Sequence, residues 1–209
     1  MILKTKECED MSDLETHYRN LFLKFGDSAE SAQYRDRITQ VKRYEILIEI
    51  ANITGSKVLD FGCGTAHFAT FLKEKGIQVD YTGVDFVNEF LQCAKEKHPE
   101  SKFCSLDEAL QDTYDYAFVS GVFNNVMENN ENFYKETVKQ LYQVAKKGLS
   151  FNMMSSYVDY YDQGLYYEKP ENVFQFIKNE VSPYVAIRND YQIRDGVIPF
   201  EFAVYVYKR

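Results

Sequence analysis

The chain has 209 residues, of which 45% are hydrophobic and 27% are charged, with a formal net charge of −8. This length and composition are typical of one globular domain whose core needs no disulfide or metal. The acidic balance, without a basic stripe, argues against a nucleic-acid partner. No apolar run approaches the roughly 20 residues of a membrane helix, and no signal-peptide block opens the chain. The four cysteines are widely spaced, which argues against a zinc site and favours a reducing cytoplasm.

The apolar periodicity predicts an N-terminal helical segment, about residues 12–52, followed by alternating strands and helices. The first helix is expected from about Ser12 to Phe25. Strands are expected at residues 58–60, 78–85, 101–105, 114–120 and 149–153. No linker or repeat divides the chain, so we expect a single domain over residues 1–209.

Later segments carry more specific predictions. A helix through Tyr134 and Leu141 is expected to end at Lys146-Lys147-Gly148, because two cations there would precede a left-handed glycine. Pro170 is expected in the first turn of another helix. The alternating pattern over residues 200–207 predicts a half-buried strand, antiparallel to one near residues 185–187.

The most informative motif is the run Val58-Leu59-Asp60-Phe61-Gly62-Cys63-Gly64-Thr65-Ala66. It is typical of a strand that ends at an acid and passes through a glycine-rich turn into a helix, the nucleotide-binding corner of a doubly wound α/β sheet. Gly62 and Gly64 would let the main chain approach a ligand closely. The dinucleotide fingerprint G-x-G-x-x-G requires a third glycine where this chain has His67, which argues against a nicotinamide cofactor.

This motif, with its acid two residues before the first glycine, resembles the first motif of the class I, Rossmann-like methyltransferases of small bacterial type, which use S-adenosylmethionine. The resemblance covers about Val41 to Arg209. It implies an α/β fold with a doubly wound sheet of five parallel strands, a C-terminal antiparallel hairpin strand and the strand order 3-2-1-4-5-7-6. Many relatives have a glycine at the position of Ala66, and one extra methyl group is expected to be tolerated there.

The resemblance implies that the cofactor is held at the carboxyl ends of the predicted strands. Asp60 would face the methionine ammonium, and Asp85 would accept hydrogen bonds from the ribose hydroxyls. Phe86 would lie against the adenine or else in the core. Arg43 would bind the cofactor carboxylate or else lie on a solvated helix face. The full predicted set is Arg43, Asp60, Gly62, Cys63, Gly64, Asp85, Phe86, Leu106 and Ser120, with no metal ligand.

The acceptor side has weaker signals. Methyl transfer from a sulfonium requires alignment above all, and it needs a base only when the acceptor is a hydroxyl or an ammonium. Asn124, Tyr157 and Asp190 are the candidate catalytic residues. The tyrosine-rich segment over residues 157–167 is either a lid that stacks on a sugar ring or a surface loop or dimer contact. His67 is expected to be exposed rather than catalytic.

The sequence therefore predicts a cytoplasmic S-adenosylmethionine-dependent methyltransferase that acts on a hydroxyl or amino group of a small molecule, such as a sugar derivative. We expect neither a nucleic-acid nor a membrane partner. Two alternatives stay open: a non-catalytic protein of this fold that binds the cofactor or a partner, and a nicotinamide-dependent oxidoreductase. The residues also leave open O- against N-methylation, and a monomer against a homodimer.

Overall fold

The structure, a computed structural model, describes residues 6–209, with side chains from Asp13 onward. Its helices are α1 (Lys6–Phe25), α2 (Arg37–Leu47), α3 (His67–Glu74), α4 (Asn88–Lys97), α5 (Leu106–Ala109), α6 (Asn130–Val144) and α7 (Pro170–Phe176). Its strands are β1 (Lys57–Phe61), β2 (Asp80–Val84), β3 (Lys102–Cys104), β4 (Tyr114–Val119), β5 (Ala145–Ser155), β6 (Tyr167–Glu168), β7 (Val185–Arg188) and β8 (Glu201–Tyr207). Within residues 6–209, the helices fall short of the length and apolarity that a membrane span requires.

The strands form one sheet in the order β3-β2-β1-β4-β5-β8-β7, and the short β6 pairs with β5 beside this path. Strands β1 to β5 pair in parallel, whereas β8 runs antiparallel to both β5 and β7. If the short β6 is left out, β7 and β8 become the sixth and seventh strands, and the order is the predicted 3-2-1-4-5-7-6. The predicted fold class is therefore confirmed. The order reverses between β1 and β4, the point where such sheets bind ligands.

The sheet separates two apolar layers. Successive residues of a strand point to opposite faces, so Val58 of β1 packs in one layer and Leu59 in the other. Helices α2 and α3 cover the first face through Tyr44 and Phe68, while α6 and α7 cover the second face. Because both faces are covered, successive residues of the central strands are buried, as Val58, Leu59 and Asp60 are in β1.

The helices begin near the residues that the sequence predicts, with small differences in position. The first helix begins at Lys6, before the expected Ser12, and Pro170 lies in the first turn of α7 as predicted. At the start of α5 the cap is Ser105, whose hydroxyl accepts a hydrogen bond from the amide of Glu108 at 3.3 Å. Asp107 lies inside that helix.

The predicted helix end at Lys146-Lys147-Gly148 is wrong. Helix α6 ends at Val144, and these three residues belong to β5, where Gly148 pairs with Tyr207. A Cβ at Gly148 would lie 2.9 Å from Ile50 Cδ1 and 2.9 Å from the Val206 carbonyl oxygen. Glycine is therefore needed at this position because neighbouring chain segments approach closely, and not because the backbone turns left-handed.

The C-terminal strand forms as predicted, but it is buried on both faces and not on one. Strand β8 is antiparallel to β7, as expected, but β8 lies between β5 and β7 and both its faces are covered. Residues Glu201 to Val206 are all buried. The polar Glu201 is accommodated through an ion pair with Arg43, which the alternating pattern could not reveal.

The close packing around Gly148 predicts the effect of adding one methyl group. We expect Gly148→Ala to lower the free energy of unfolding by about 1–3 kcal/mol, because the new Cβ overpacks a site bounded by main chain. Gly164→Ala is the matched control: its Cβ would meet a flexible Asp162 side chain at 3.3 Å, so its effect should stay within about 0.5 kcal/mol. Urea denaturation of both variants measures the difference. An unchanged midpoint for Gly148→Ala would contradict this packing.

Candidate active site

The glycine-rich turn after β1 is fixed against the end of β2. The amides of Gly62 and Cys63 both donate to the Val84 carbonyl, at 2.8 and 3.0 Å. Gly62 has φ +75°, and a Cβ there would lie 2.3 Å from Val122 Cγ2. A side chain is therefore excluded at this position by both conformation and space.

The turn continues through a left-handed alanine. Ala66 has φ +60° and is fully buried. Ala66 thus adopts the left-handed conformation that favours glycine, and the alanine carries a conformational cost of about 1–2 kcal/mol. The following residue begins α3, so this strained residue sets the direction in which the helix leaves the turn.

Asp60, near the end of β1, is a buried carboxylate. One carboxylate oxygen, Oδ2, accepts a hydrogen bond of 2.5 Å from the Tyr81 hydroxyl. Burial raises the pKa of Asp60 to about 7; the hydrogen bond from Tyr81 opposes this shift and the nearby Asp85 adds to it. No ion pair to Asp60 occurs among the side chains that are described. An added cation would therefore favour the ionised form of this group.

Asp85 follows β2 and accepts hydrogen bonds from two main-chain amides. Its Oδ2 accepts from Gly64 at 2.8 Å and its Oδ1 accepts from Val87 at 2.9 Å. Burial raises the pKa of Asp85 to about 6, against the opposing effect of these amides. Each carboxylate oxygen keeps a further lone pair for a ligand hydroxyl. Phe86 is exposed beside it and contacts the edge of Tyr18, with 6.2 Å between ring centroids.

The two acids open into a cavity of about 580 Å³, here called the first cavity. Its lining includes all of the predicted cofactor-binding residues except Arg43, namely Asp60, Gly62, Cys63, Gly64, Asp85, Phe86, Leu106 and Ser120. The volume lies within the range of roughly 300–1,000 Å³ that is usual for small-molecule sites. Burial raises the pKa of the Cys63 thiol well above its ordinary value, as suits a filler of the loop rather than a nucleophile.

A second cavity, of about 610 Å³, adjoins the first. Five residues line both cavities and form what we call the partition: Tyr18, Ala32, Tyr34, Gly121 and Asn125. The Tyr34 hydroxyl donates to the Ser120 carbonyl at 3.0 Å, and Asn125 Nδ2 donates to the Tyr18 hydroxyl at 2.6 Å. Sequence reasoning missed both tyrosines, because residues 12–52 had been assigned only a helical role.

The tyrosine-rich segment over residues 157–167 contributes to the second cavity. Its lining residues include Val158, Asp159, Tyr160, Asp162, Leu165 and Tyr167. The segment is tied to the chain after β4: the Val126 amide donates to the Gly164 carbonyl at 3.2 Å, and the Tyr166 amide donates to the Asn124 carbonyl at 2.8 Å. Residues 157–167 are all half-buried or exposed.

Arg43 does not lie on a solvated helix face, and it does not line the first cavity. Its Nε donates to Glu201 Oε2 at 2.7 Å, and its Nη1 donates to the Thr39 carbonyl at 3.0 Å. The guanidinium carbon lies 5.3 Å from the centre of the Tyr34 ring. Arg43 instead lines the second cavity, so the structure gives it a position that neither alternative in the sequence had described.

The structure does not bring the three candidate catalytic residues together. Asn124 lines the second cavity, and within the described part of the chain its buried Oδ1 has no hydrogen-bond partner. Tyr157 lies outside the lining of both cavities and donates its hydroxyl to Glu171. Asp190 is exposed and pairs with Arg188 at 2.9 Å. Tyr157 and Asp190 thus lie outside the lining of both cavities, and a catalytic role for either residue stays a prediction.

His67 is less exposed than predicted, because both nitrogens of its ring contact side chains of the N-terminal segment. Its Nδ1 lies 3.0 Å from Gln40 Oε1 and its Nε2 lies 2.9 Å from Asp27 Oδ1. Asp27 also pairs with Lys97 at 2.8 Å. His67 thus has a clear structural function at the edge of the first cavity. No cluster of three or more His, Cys, Asp or Glu side chains suited to a metal occurs within the described residues.

Comparison with known proteins agrees with this geometry. Residues 58–148 match the family described as "Methyltransferase domain". The chain is 28% identical over 158 residues to the candidate methyltransferase Rv1506c of Mycobacterium tuberculosis (strain ATCC 25618 / H37Rv), an alignment that covers 71% of this chain and 91% of that protein.

Solved structures share the fold at low sequence identity. Magnesium protoporphyrin IX methyltransferase (ChlM) from Synechocystis PCC 6803 with bound SAM has a TM-score of 0.63 and 15% identity, covering 100% of this chain and 99% of that chain. The plantazolicin methyltransferase BpumL in complex with a triazolic desmethylPZN analog and SAH has a TM-score of 0.62 and 15% identity, covering 96% and 99%. At such identities the likeness shows the fold.

The strand order, the glycine-rich turn after β1 and the acids at the ends of β1 and β2 define a nucleotide-binding fold of the methyltransferase kind. Together with the family match over residues 58–148, they show the class I, Rossmann-like fold of the methyltransferases that use S-adenosylmethionine. The resemblance carried by Val58 to Ala66 is thereby confirmed.

The raised pKa of Asp60 predicts a pH-dependent stability of the ligand-free protein. Between about pH 4 and pH 7 the folded protein keeps a proton that the unfolded chain has released, so stability falls as pH rises through this window. Asp60→Asn removes this titration. We expect Asp60→Asn to gain about 2 kcal/mol of unfolding free energy relative to the parent protein between pH 5 and pH 8.

Urea denaturation at both pH values measures this gain. The control is Asp80→Asn, which changes an exposed acid at the start of β2 and should show no such gain. Tyr81→Phe removes the hydrogen bond that lowers the Asp60 pKa, and it should extend the loss of stability to higher pH. A difference between Asp60→Asn and the parent protein that stays constant with pH would contradict the buried, titrating carboxylate.

Proposed function

We propose that the first cavity binds S-adenosylmethionine and that the second cavity binds a small, sugar-like acceptor, whose hydroxyl or amino group receives the methyl group. The observation that carries this proposal is the partition, because it separates a cavity with a nucleotide-binding turn from a polar cavity by only a few side chains. S-adenosylmethionine supplies an activated methyl group with a neutral thioether as leaving group. The protein must then align the acceptor with that methyl group.

The residues of the first cavity fit the cofactor. The free lone pairs of Asp85 suit the two ribose hydroxyls, because its other lone pairs are already used by Gly64 and Val87. Asp60 has no cationic partner among the described side chains, and it suits the methionine ammonium. Phe86 and Leu106 offer apolar surface for the adenine. The proposed cofactor set is thus the predicted one without Arg43.

The lining of the second cavity fits a polar ring. Tyr160, Tyr167 and Phe200 provide aromatic surface, and such surface stacks on the apolar face of a sugar. Asp159 and Asp162 provide acceptors for hydroxyl groups, and Arg35 and Arg194 provide donors. The two acids and these two arginines balance in charge, which favours a neutral, hydroxyl-rich acceptor.

Asn124 is the residue that we propose for orienting the acceptor. Its Oδ1 is buried and has no hydrogen-bond partner among the described residues, so a hydrogen bond from the attacking hydroxyl or amine would satisfy it. Such a bond directs a lone pair of the acceptor toward the partition. An amide oxygen does not remove a full proton at neutral pH, so Asn124 contributes orientation rather than base catalysis.

The predictions on domain organisation, cellular location, substrate class and partners also form part of this proposal. We propose a single domain over residues 1–209, in which α1 and the loop that follows it complete the wall of both cavities. We also propose the cytoplasm as its location and a small molecule as its substrate, with neither nucleic acid nor membrane as a partner. The acidic net charge of −8 supports the exclusion of nucleic acid.

Isothermal titration calorimetry with S-adenosylhomocysteine and, separately, with NAD tests the cofactor assignment. We expect binding of S-adenosylhomocysteine only. Transfer of an isotope-labelled methyl group to a panel of amino sugars, deoxysugars and simple phenols then tests the acceptor class. Binding of NAD instead would overturn the proposal, and binding without transfer to any member of the panel would overturn the acceptor class.

Asp85 provides the sharpest test of the cofactor position. Asp85→Ala should weaken binding of S-adenosylhomocysteine by about 1.5–3 kcal/mol, because hydrogen bonds to a charged group are lost. Asp85→Glu keeps the carboxylate and should lose less. Asp80→Ala, at the exposed start of β2, is the control and should bind normally. If calorimetry gave Asp85→Ala an affinity within twofold of the parent protein, Asp85 would not contact the ribose.

The segment over residues 157–167 provides the corresponding test for the acceptor. Tyr160→Ala should raise KM for the acceptor about two- to tenfold, the loss expected for one aromatic contact, while cofactor affinity stays within twofold. Tyr184→Ala is a matched control, because Tyr184 is an exposed tyrosine outside the lining of both cavities. Steady-state kinetics and calorimetry measure the two effects. Lost cofactor affinity with an unchanged acceptor KM would show that the segment is not part of the acceptor site.

A further inference from the structure

A buried polar network lies behind the partition and links four separate parts of the fold. At its centre is Glu201 of β8, which is 1% exposed. Its Oε2 accepts a hydrogen bond from Arg43 Nε at 2.7 Å, and its Oε1 accepts from Asn152 Nδ2 and from the Tyr191 hydroxyl, each at 3.3 Å. The side chain of Arg43 is 10% exposed. The carboxylate thus joins α2, β5, β8 and the loop after β7.

Both arms of this network reach the partition. On one arm, Asn152 Oδ1 accepts a hydrogen bond of 2.9 Å from the amide of Gly121. On the other arm, the Arg43 guanidinium lies over the ring of Tyr34, 5.3 Å from its centre. Gly121 and Tyr34 also touch one another closely, because a Cβ at Gly121 would lie 2.8 Å from the Tyr34 hydroxyl. Two of the five partition residues, Tyr34 and Gly121, are therefore packed on or bonded to partners of Glu201.

Stability alone gives little reason for this network. Taking two charges out of water costs free energy that their attraction often fails to return, and apolar residues of similar size are frequently as stable. The next positions of β8, Phe202, Ala203 and Val204, are apolar and buried, so an apolar residue would suit the strand at position 201. Arg43 also lines the second cavity. A function in placing the partition would give the charge at position 201 a reason that stability does not.

We propose that Glu201 is a positioning residue for methyl transfer: through Arg43 and Asn152 it fixes Tyr34 and Gly121, and so holds the acceptor in line with the methyl group. This inference rests on the proposed function. It differs from the sequence-based prediction for Arg43, which assigned that residue to the cofactor carboxylate. Displacement of an acceptor by about 1 Å is enough to lower turnover by about a hundredfold, so even a small shift of the partition should be measurable.

The test uses a double variant, Arg43→Met with Glu201→Leu, which replaces the ion pair by apolar side chains of similar volume. The single variant Glu201→Gln leaves Arg43 buried without its counter-charge and is expected to fold poorly, so it serves only as a comparison. The matched control is Lys75→Gln with Glu45→Gln, which removes an exposed ion pair of 2.9 Å on the surface of the same region.

We expect the double variant to fold with a midpoint of thermal unfolding that is lower by several degrees, because Asn152 Nδ2 and the Tyr191 hydroxyl lose their acceptor. Its affinity for S-adenosylhomocysteine should stay within twofold. Its kcat should fall at least tenfold, and its KM for the acceptor should rise. The Gly121 amide should exchange its hydrogen at least tenfold faster, a readout that needs no turnover. The surface control should match the parent protein in every measurement.

A double variant with parental kcat, or with parental exchange at Gly121, would overturn the positioning role. If the double variant lost cofactor affinity along with kcat, the network would serve the first cavity, and the proposal would also be wrong. Failure of the parent protein to bind S-adenosylhomocysteine or to transfer methyl groups is a separate result, because it is measured before any variant and counts against the proposed function itself.

Discussion

The attachment of the β1 turn to the end of β2 is the constraint on which the site depends. Three successive amides, those of Gly62, Cys63 and Gly64, donate to the Val84 carbonyl or to the Asp85 carboxylate. Val122, after β4, closes the space beside Gly62. The turn is thus held by the ends of β2 and β4, the strands on either side of β1. Asp60 near the end of β1 and Asp85 after β2 consequently face one cavity, which opens where the strand order reverses.

The sequence was sufficient for those parts of the fold that local patterns determine. Strand β1, its turn and the alternation of strands and helices follow from short-range chemistry, and the strand order followed from the resemblance. The errors lie where distant segments meet. Gly148 looks like a helix end until Ile50 and the Val206 carbonyl are seen to approach it. Likewise, the alternating residues of β8 look half-buried until β8 is seen to lie between two strands.

The candidate site divides in the same way. The residues lining the first cavity could be predicted because they follow strands whose ends are visible in the sequence. Tyr18 and Tyr34 could not, since an aromatic residue in a helical segment is usually core, and nothing local shows that this segment folds over the sheet. The partner of Arg43 lies 158 positions away. No spacing rule connects such a pair, so a charged residue on a helix could only be assigned to solvent or to a ligand.

The two buried carboxylates beside the cavities show how stability and function separate in this fold. Asp60 is buried without a cation among the described side chains, and its pKa rises to about 7 because the ionised form is poorly solvated. A ligand ammonium would supply the missing charge, so the free energy that burial costs the empty protein is partly recovered on binding. Glu201 already has Arg43 as its counter-charge, and a cationic ligand would gain little from it. What Glu201 can contribute is the position of its partners. It accepts a charge-assisted hydrogen bond from Arg43 of α2 and a hydrogen bond from the side-chain amide of Asn152 of β5, and both of these residues contact the partition. One carboxylate is thus suited to bind and the other to align.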